Sequence, residues 1–338
     1  MKVSIRTVAG IVGITAALVW SVRGVVFSDV LEIISNADLL LAGVVLFLTV
    51  LNLVIRAAVW KAVVRPMKVI SVFNAFTSYL IGTFSNLFLP FKLGDVAQGY
   101  SLGRRAHISK ISSVSAVLVQ RVFEVTSLIL VMALVGAVFS LPLIIDRRSV
   151  ILGVLVLLSL AGLATLVVYK DKVVLFLEKQ IARVSPRVAS SVRRSFELFI
   201  EGTRAIHNLS DITRILLLSV LSWAVQIVMV LFMTRSLNIQ LDFISSAIVL
   251  LVINIGLLLP VAPGNIGTFQ FFSIIALSFF SVPKPQALTF AVLFQVVQGI
   301  PVIIGGAFSM LAETVRLRPE PVKVNRKNHH VNDTRDNT

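Results

Sequence analysis

Long apolar runs dominate this sequence and restrict what it can fold into. A helix needs about 20 apolar residues to cross the hydrocarbon core of a bilayer. Six runs reach that length: residues 8–27, 39–58, 114–141, 149–169, 212–234 and 286–311. Of the 338 residues, 57% are hydrophobic and 14% are charged, whereas soluble domains are about 45–50% apolar and about 25% charged. We therefore predict an all-α polytopic membrane protein of the cell membrane.

Two further apolar runs, 69–89 and 243–281, are each interrupted or followed by a Pro/Gly cluster. Simple hydropathy would count them as spans and give about eight. If 69–89 crossed the membrane, Arg104 and Arg105 would lie outside, although Lys and Arg prefer cytoplasmic loops. A re-entrant hairpin that enters from the cytoplasm and returns keeps them inside. We therefore predict six spans plus two re-entrant hairpins, with both termini cytoplasmic.

The charge balance restricts the class of partner. Lys and Arg number 31 against 16 Asp and Glu, for a net charge of +15. The basic residues lie between apolar runs rather than along one polar face, which indicates membrane topology and not nucleic-acid binding. The chain has no cysteine, and its four histidines lack metal-ligand spacing. We expect no metal, no cofactor and no enzymatic activity.

Residues 1–318 are predicted to form a single transmembrane domain. Within it, residues 170–211 carry apolar residues at helical spacing and charges on the other faces, which predicts an amphipathic insert at the cytoplasmic interface. A solvated cytoplasmic linker is the alternative for this insert. The polar and basic residues 319–338 are expected to form a disordered tail.

The sequence also contains an internal repeat. Residues 89–96 and 259–266 both follow the pattern L-P-x-x-x-G-[D/N]-[V/I], and residues 116–122 align in the same order with 291–297. Three full spans separate equivalent points. Because three is an odd number, the two halves must have opposite orientations, which is the inverted-topology repeat of many transporters.

The two halves, about 5–145 and about 149–312, would each contain three transmembrane helices and one re-entrant hairpin. Proline ends a helix, glycine permits the turn, and Asp95 or Asn265 is a good N-cap for the helix that follows. Two such breaks would place helix N-termini near the midplane, where free N–H groups can hold a phosphate or carboxylate. Alternatively, the turns only reverse the hairpins and bind nothing.

Three stretches, residues 86–100, 113–124 and 260–270, resemble in order the motifs of the lysylphosphatidylglycerol synthase transmembrane region, also called the flippase-like domain. The resemblance covers roughly residues 5–312. It implies a membrane region that moves a lipid between leaflets. Lysine transfer in multidomain members belongs to a separate cytosolic synthase, for which we expect no room in this chain.

The sequence departs from the family pattern at several positions, two of which replace a charged residue by glutamine. Gln98 stands where the family usually has Arg, and Gln270 stands where it usually has Glu. This is either the compensated loss of one ion pair or the mark of a different headgroup. The Arg-x-x-acid pattern of the middle motif is kept as Arg121 and Glu124.

Several polar residues interrupt the apolar excess and are candidates for function. Arg121 and Glu124 are i, i+3 neighbours inside a span, and an intramembrane charge is a functional hypothesis by default, although the pair could also only hold helices together. Lys92 could meet a lipid phosphate or extend to the interface. Gln120 and Gln295 occupy equivalent places and are expected to cross-link helices more than to touch substrate.

The predicted headgroup site consists of the polar and turn-forming residues at the two breaks and on the aligned spans. They are Asn86, Pro90, Lys92, Gly94, Asp95, Gln120, Arg121, Glu124, Pro260, Pro263, Gly264, Asn265, Gly267, Gln270 and Gln295.

These observations favour a lipid translocator that passes a headgroup through a midplane cavity between the hairpins. Its partners would be membrane lipids, anionic or phosphate-bearing. One alternative is a membrane-embedded transferase in lipid or glycolipid modification. The other is a non-catalytic membrane subunit that docks a glycosyltransferase or synthase through residues 170–211 and the tail.

Overall fold

A computed structural model of the chain describes residues 19–138, 209–257 and 263–316. Within these ranges the chain is helical and has no β-strand. The helices are α1 (Phe27–Ser35), α2 (Leu39–Val64), α3 (Val72–Phe88), α4 (Gly94–Ala106), α5 (Lys110–Val138), α6 (Leu209–Ser236), α7 (Phe243–Gly256), α8 (Thr268–Ser278) and α9 (Lys284–Arg316). The predicted span at 149–169, the insert up to residue 208, Pro260 and the tail lie outside the described residues.

Four of the described helices are long and apolar enough to cross a membrane. The qualifying segments are Leu39–Val64, Ser112–Val135, Ser210–Ser236 and Lys284–Thr314. They coincide with four of the six predicted runs and confirm the all-helical membrane class. The predicted span 8–27 falls mostly outside the described residues.

Contacts between helix ends define two ends of the bundle. The Asp38 N–H donates to the Ser236 carbonyl at 2.9 Å, while Arg65 Nη1 lies 2.9 Å from Asp211 Oδ1. Helices α2 and α6 are therefore antiparallel. We call the end with Asp38 and Ser236 the acidic-loop end, because Asp29 and Glu32 lie in α1 just before it. The end with Arg65 is the basic end.

Helices α3 and α4 form an antiparallel pair separated by a 3-10 turn at Pro90–Lys92, the first break. A Cβ on Gly94 would collide with the Gly82 carbonyl and with Asn86. These glycines therefore let the two backbones approach closely, as in packed membrane helices. Lys68 Nζ donates to the Ala106 carbonyl at 2.8 Å, so the pair begins and finishes at the basic end.

Helices α7 and α8 flank the second break, a 3-10 turn at Pro263–Asn265. Gly264 and Asn265 there have left-handed φ values of 58° and 57°. The Leu87 carbonyl lies 3.2 Å from where a Cβ on Gly264 would be, and the two breaks contact each other. The end of α3 therefore packs against the second break.

The capping predicted for the two breaks is wrong. Helix α4 begins at Gly94 with Leu93 as N-cap and no side-chain cap, and α8 begins at Thr268 with Gly267 as N-cap. Asp95 lies inside the first turn of α4, where a guanidinium binds its carboxylate in place of backbone N–H groups. Asn265 lies three residues before Thr268, the first residue of α8, and is therefore too far from the helix to act as its N-cap.

Candidate functional site

A bidentate ion pair joins the first break to a membrane-spanning helix. Arg121 on α5 donates from Nη2 to Asp95 Oδ1 at 2.7 Å and from Nε to Asp95 Oδ2 at 2.9 Å. Asn86 on α3 donates to Asp95 Oδ1 at 2.9 Å and accepts from the Gly94 N–H at 2.8 Å. The start of α4 is thus held from two sides.

Glu124 carries a second set of bonds one turn further along α5. It accepts from Arg121 Nη1 at 2.6 Å and from Gln120 Nε2 at 3.0 Å, and it lies 3.4 Å from Arg56 Nη1. The pairing of Arg121 with Glu124 expected from their i, i+3 spacing is present. Arg56 is not among the predicted site residues, and the structure adds it to them.

Arg56 on α2 is held by neighbours from α6. Its guanidinium lies 5.5 Å from the centre of the Trp223 ring, and its Nε donates to Ser222 Oγ at 3.2 Å. Ser222 in turn donates to Asn52 at 2.8 Å, and Trp223 Nε1 donates to the Glu124 carbonyl at 3.1 Å. Helices α2, α5 and α6 therefore converge on Glu124.

Lys92 lies in the first break with a left-handed φ of 55°. It is half-buried, and no hydrogen bond or ion pair of its ammonium group is seen among the described residues. Lys92 lies three residues before Asp95, which is bonded to Arg121 and, through Arg121 and Glu124, to Arg56. We call these five residues the charged cluster, in which three cations face two carboxylates.

The second break is held by amides instead of charges. Gln295 on α9 donates to the Gly264 carbonyl at 2.6 Å and accepts from Gln270 Nε2 at 2.8 Å. Gln270 Oε1 accepts from the Gly267 N–H at 2.7 Å. We call these four residues the amide cluster.

A glutamine pair occurs beside each break. Gln98 on α4 donates to Gln120 on α5 at 2.9 Å, just as Gln270 on α8 donates to Gln295 on α9. The expected cross-linking role of Gln120 and Gln295 is therefore observed. Gln98 was not among the predicted site residues, although its departure from the family pattern had already distinguished it from its neighbours.

The structure thus brings most of the predicted site residues into two adjoining clusters. Pro90 begins the first break, and Pro263 is exposed at the start of the second. Pro260 lies outside the described residues. In the described parts of the chain, no three His, Cys, Asp or Glu side chains are grouped as a metal site would require.

The chemistry of the charged cluster favours binding over acid–base catalysis. Both carboxylates already accept hydrogen bonds from a guanidinium, so their oxygen atoms serve as structural acceptors within the cluster. Cations outnumber carboxylates, and the surroundings are apolar helices. Such a site has an electrostatic preference for an anion.

Comparison with protein families gives a match over most of the chain. The sequence model described as "Lysylphosphatidylglycerol synthase TM region" matches residues 7–306. No solved structure matches the chain.

Two curated proteins are similar to this chain. The UPF0104 membrane protein MJ1078 of Methanocaldococcus jannaschii is 22% identical over 242 residues, covering 70% of this chain and 97% of that protein. The glycosyltransferase AglD of Haloferax volcanii is 23% identical over 367 aligned residues, covering 98% of this chain. The match spans 58% of the length of that glycosyltransferase.

Proposed function

The chain belongs to the lysylphosphatidylglycerol synthase TM region family, and from this premise we propose that it is a lipid translocator. A phospholipid or lipid-linked headgroup would pass between the two breaks, while the acyl chains stay in the bilayer. One observation carries the proposal: the two breaks contact each other, and polar side chains cluster beside them among otherwise apolar helices. Irregular backbone at membrane depth is tolerated only when it is buried in protein or lines a wet cavity.

The proposal treats the α3–α4 and α7–α8 pairs as re-entrant hairpins related by an inverted repeat. Helices α3, α4, α7 and α8 have 17, 13, 14 and 11 residues, fewer than the roughly 20 that a span requires. The first hairpin would enter from the basic end and the second from the acidic-loop end.

The proposal also places the basic end of the bundle on the cytoplasmic side of the membrane. Lys68, Arg65 and Arg105 all lie there, and Arg105 pairs with Glu313 near the end of α9 at 3.2 Å. An excess of Lys and Arg marks the cytoplasmic side. Both termini would then be cytoplasmic, in a multi-pass protein of the cell membrane.

Lys92 supports an anionic substrate. A non-glycine residue in the left-handed region costs about 1–2 kcal/mol, and such strain is concentrated at functional sites. Glycine would adopt this φ without that cost. The ammonium group of Lys92 would give this position a function, by meeting a headgroup phosphate.

Leaflet exchange in proteoliposomes tests the proposal. The full chain would be reconstituted with phospholipids that carry a fluorophore, and the outer leaflet would be quenched with dithionite. We expect protein-dependent loss of the inner-leaflet signal for at least one phosphate-bearing lipid. No protein-dependent exchange across phosphatidylglycerol, phosphatidylethanolamine and a polyprenyl-phosphate sugar would contradict it.

A role in glycolipid modification is the second candidate, since the chain is similar over 98% of its length to a protein named a glycosyltransferase. The chain would then be a membrane subunit or a membrane-embedded transferase. Sugar transfer by the purified chain from a nucleotide or lipid donor to a lipid acceptor would favour this candidate over the first.

A further inference from the structure

Asp95 occupies the part of Arg121 that a phosphate would need. A guanidinium presents five N–H donors, and its Nε–Nη2 edge fits carboxylate and phosphate with the same bidentate geometry. That edge of Arg121 is filled by Asp95. An anion can therefore bind this edge of Arg121 only when the Asp95 carboxylate leaves it.

The two carboxylates differ in their partners and in their place in the cluster. Glu124 is on the same helix as Arg121 and has three side-chain partners, Arg121, Arg56 and Gln120. Asp95 is on a different helix, directly after a break, and among the described residues its carboxylate bonds to two side chains, those of Arg121 and Asn86. The Arg121 side chain is 34% exposed and that of Asp95 18%. Asp95 is therefore the partner that can be exchanged.

We propose that Asp95 is a resident substitute for a phosphate, and that a phosphate-like oxyanion binds this protein by displacing Asp95 from Arg121. This inference rests on the proposed function and identifies the substrate class of its site. The exchange replaces one negative charge on Arg121 by another. A neutral headgroup cannot make this replacement, because it would leave two guanidinium groups and Lys92 facing Glu124 alone.

The test compares affinities in the purified full chain in neutral detergent. Native mass spectrometry would measure binding of dioleoyl phosphatidylglycerol, with a glucosyl diacylglycerol as the phosphate-free lipid. Asp95→Asn removes the competing carboxylate, and we expect it to tighten phosphatidylglycerol binding about tenfold, the equivalent of one charge-assisted hydrogen bond. Binding of the glucosyl lipid should stay within about twofold.

A matched control separates exchange at Arg121 from a gain of positive charge. Asp211→Asn makes the same acid-to-amide change at a remote Arg–Asp pair, where Arg65 lies 2.9 Å from Asp211. It adds the same charge and should leave phosphatidylglycerol affinity within about twofold. If Asp95→Asn does not give folded protein, Asp95→Ser provides the same comparison.

Inorganic phosphate, measured by isothermal titration calorimetry, distinguishes the source of the oxyanion. A similar gain for it in Asp95→Asn shows that phosphate alone competes with the Asp95 carboxylate for Arg121, and a gain confined to phosphatidylglycerol assigns the site to a lipid headgroup. Equal or weaker phosphatidylglycerol binding in Asp95→Asn overturns the inference, as does an equal gain for the glucosyl lipid. The assay does not read leaflet exchange, so its outcome is independent of whether translocation is observed.

Discussion

Both breaks are 3-10 turns between two helices, but different chemistry stabilises each of them. At the first, Arg121 binds the start of α4 through a carboxylate, and the backbone contains a strained lysine. At the second, Gln295 binds a backbone carbonyl directly, and Gly264 and Asn265 take the left-handed positions. Amides carry no net charge, so hydrogen bonds between uncharged groups stabilise the second break, whereas an ion pair stabilises the first. The two breaks are alike in layout and unlike in electrostatics.

Removal of Arg121 should have the largest effect on this difference. Arg121→Gln leaves Asp95 without its guanidinium and weakens the hold on Glu124. Breaking a fully buried pair costs about 3–5 kcal/mol, and the partial exposure of Arg121 reduces our expectation to about 2–3 kcal/mol of unfolding free energy. Thermal unfolding in neutral detergent, followed by circular dichroism, measures it. Asp211→Asn is the control and should cost less than about 1 kcal/mol. Equal losses in the two variants would remove the distinction between this pair and a surface one.

Loss of the amide link at the second break should have an intermediate effect. Gln295→Leu keeps the approximate volume but leaves the Gly264 carbonyl and the Gln270 amide without this partner, at a cost of about 1–2 kcal/mol. Because no charge is involved, the loss should be the same at low and high salt, whereas that of Arg121→Gln should shrink as salt rises. A strong salt dependence of the Gln295→Leu effect would show that the second break is not electrostatically neutral.

The backbone of each break gives the smallest effects, with opposite signs. Gly264→Ala places a Cβ at φ 58° and 3.2 Å from the Leu87 carbonyl, and should lower the unfolding free energy by about 1 kcal/mol. Lys92→Gly relieves the strain at φ 55° and should raise it by up to about 1 kcal/mol, while leaflet exchange falls. If Lys92→Gly exchanges lipid as fast as the parent chain, the lysine has no part in translocation.

Much of the helix layout could be predicted from the sequence, because apolar length and Pro/Gly breaks are local properties. The run predicted at 39–58 is the helix Leu39–Val64, and the run at 212–234 is Leu209–Ser236. The break at Pro90 was located to the residue. Helix ends were less certain, since charged residues such as Lys61 continue a helix past the apolar run.

The site was predicted in composition but not in connectivity. Spacing along one helix predicts the Arg121–Glu124 pair, because i, i+3 neighbours share a face. It does not predict that Arg56 on α2 reaches Glu124, or that Asp95 binds Arg121 instead of capping α4. Those contacts depend on how separate helices pack, which periodicity within each helix does not specify.

The position of Trp223 makes the charged cluster observable by intrinsic tryptophan fluorescence. Its indole ring lies under the Arg56 guanidinium and donates to the backbone of the helix that carries Glu124. Indole emission responds to nearby charge, and the chain has only three tryptophans. A shift of Arg56 on ligand binding would therefore change the intrinsic fluorescence of the unlabelled protein, which contains within its site a reporter that needs no chemical modification.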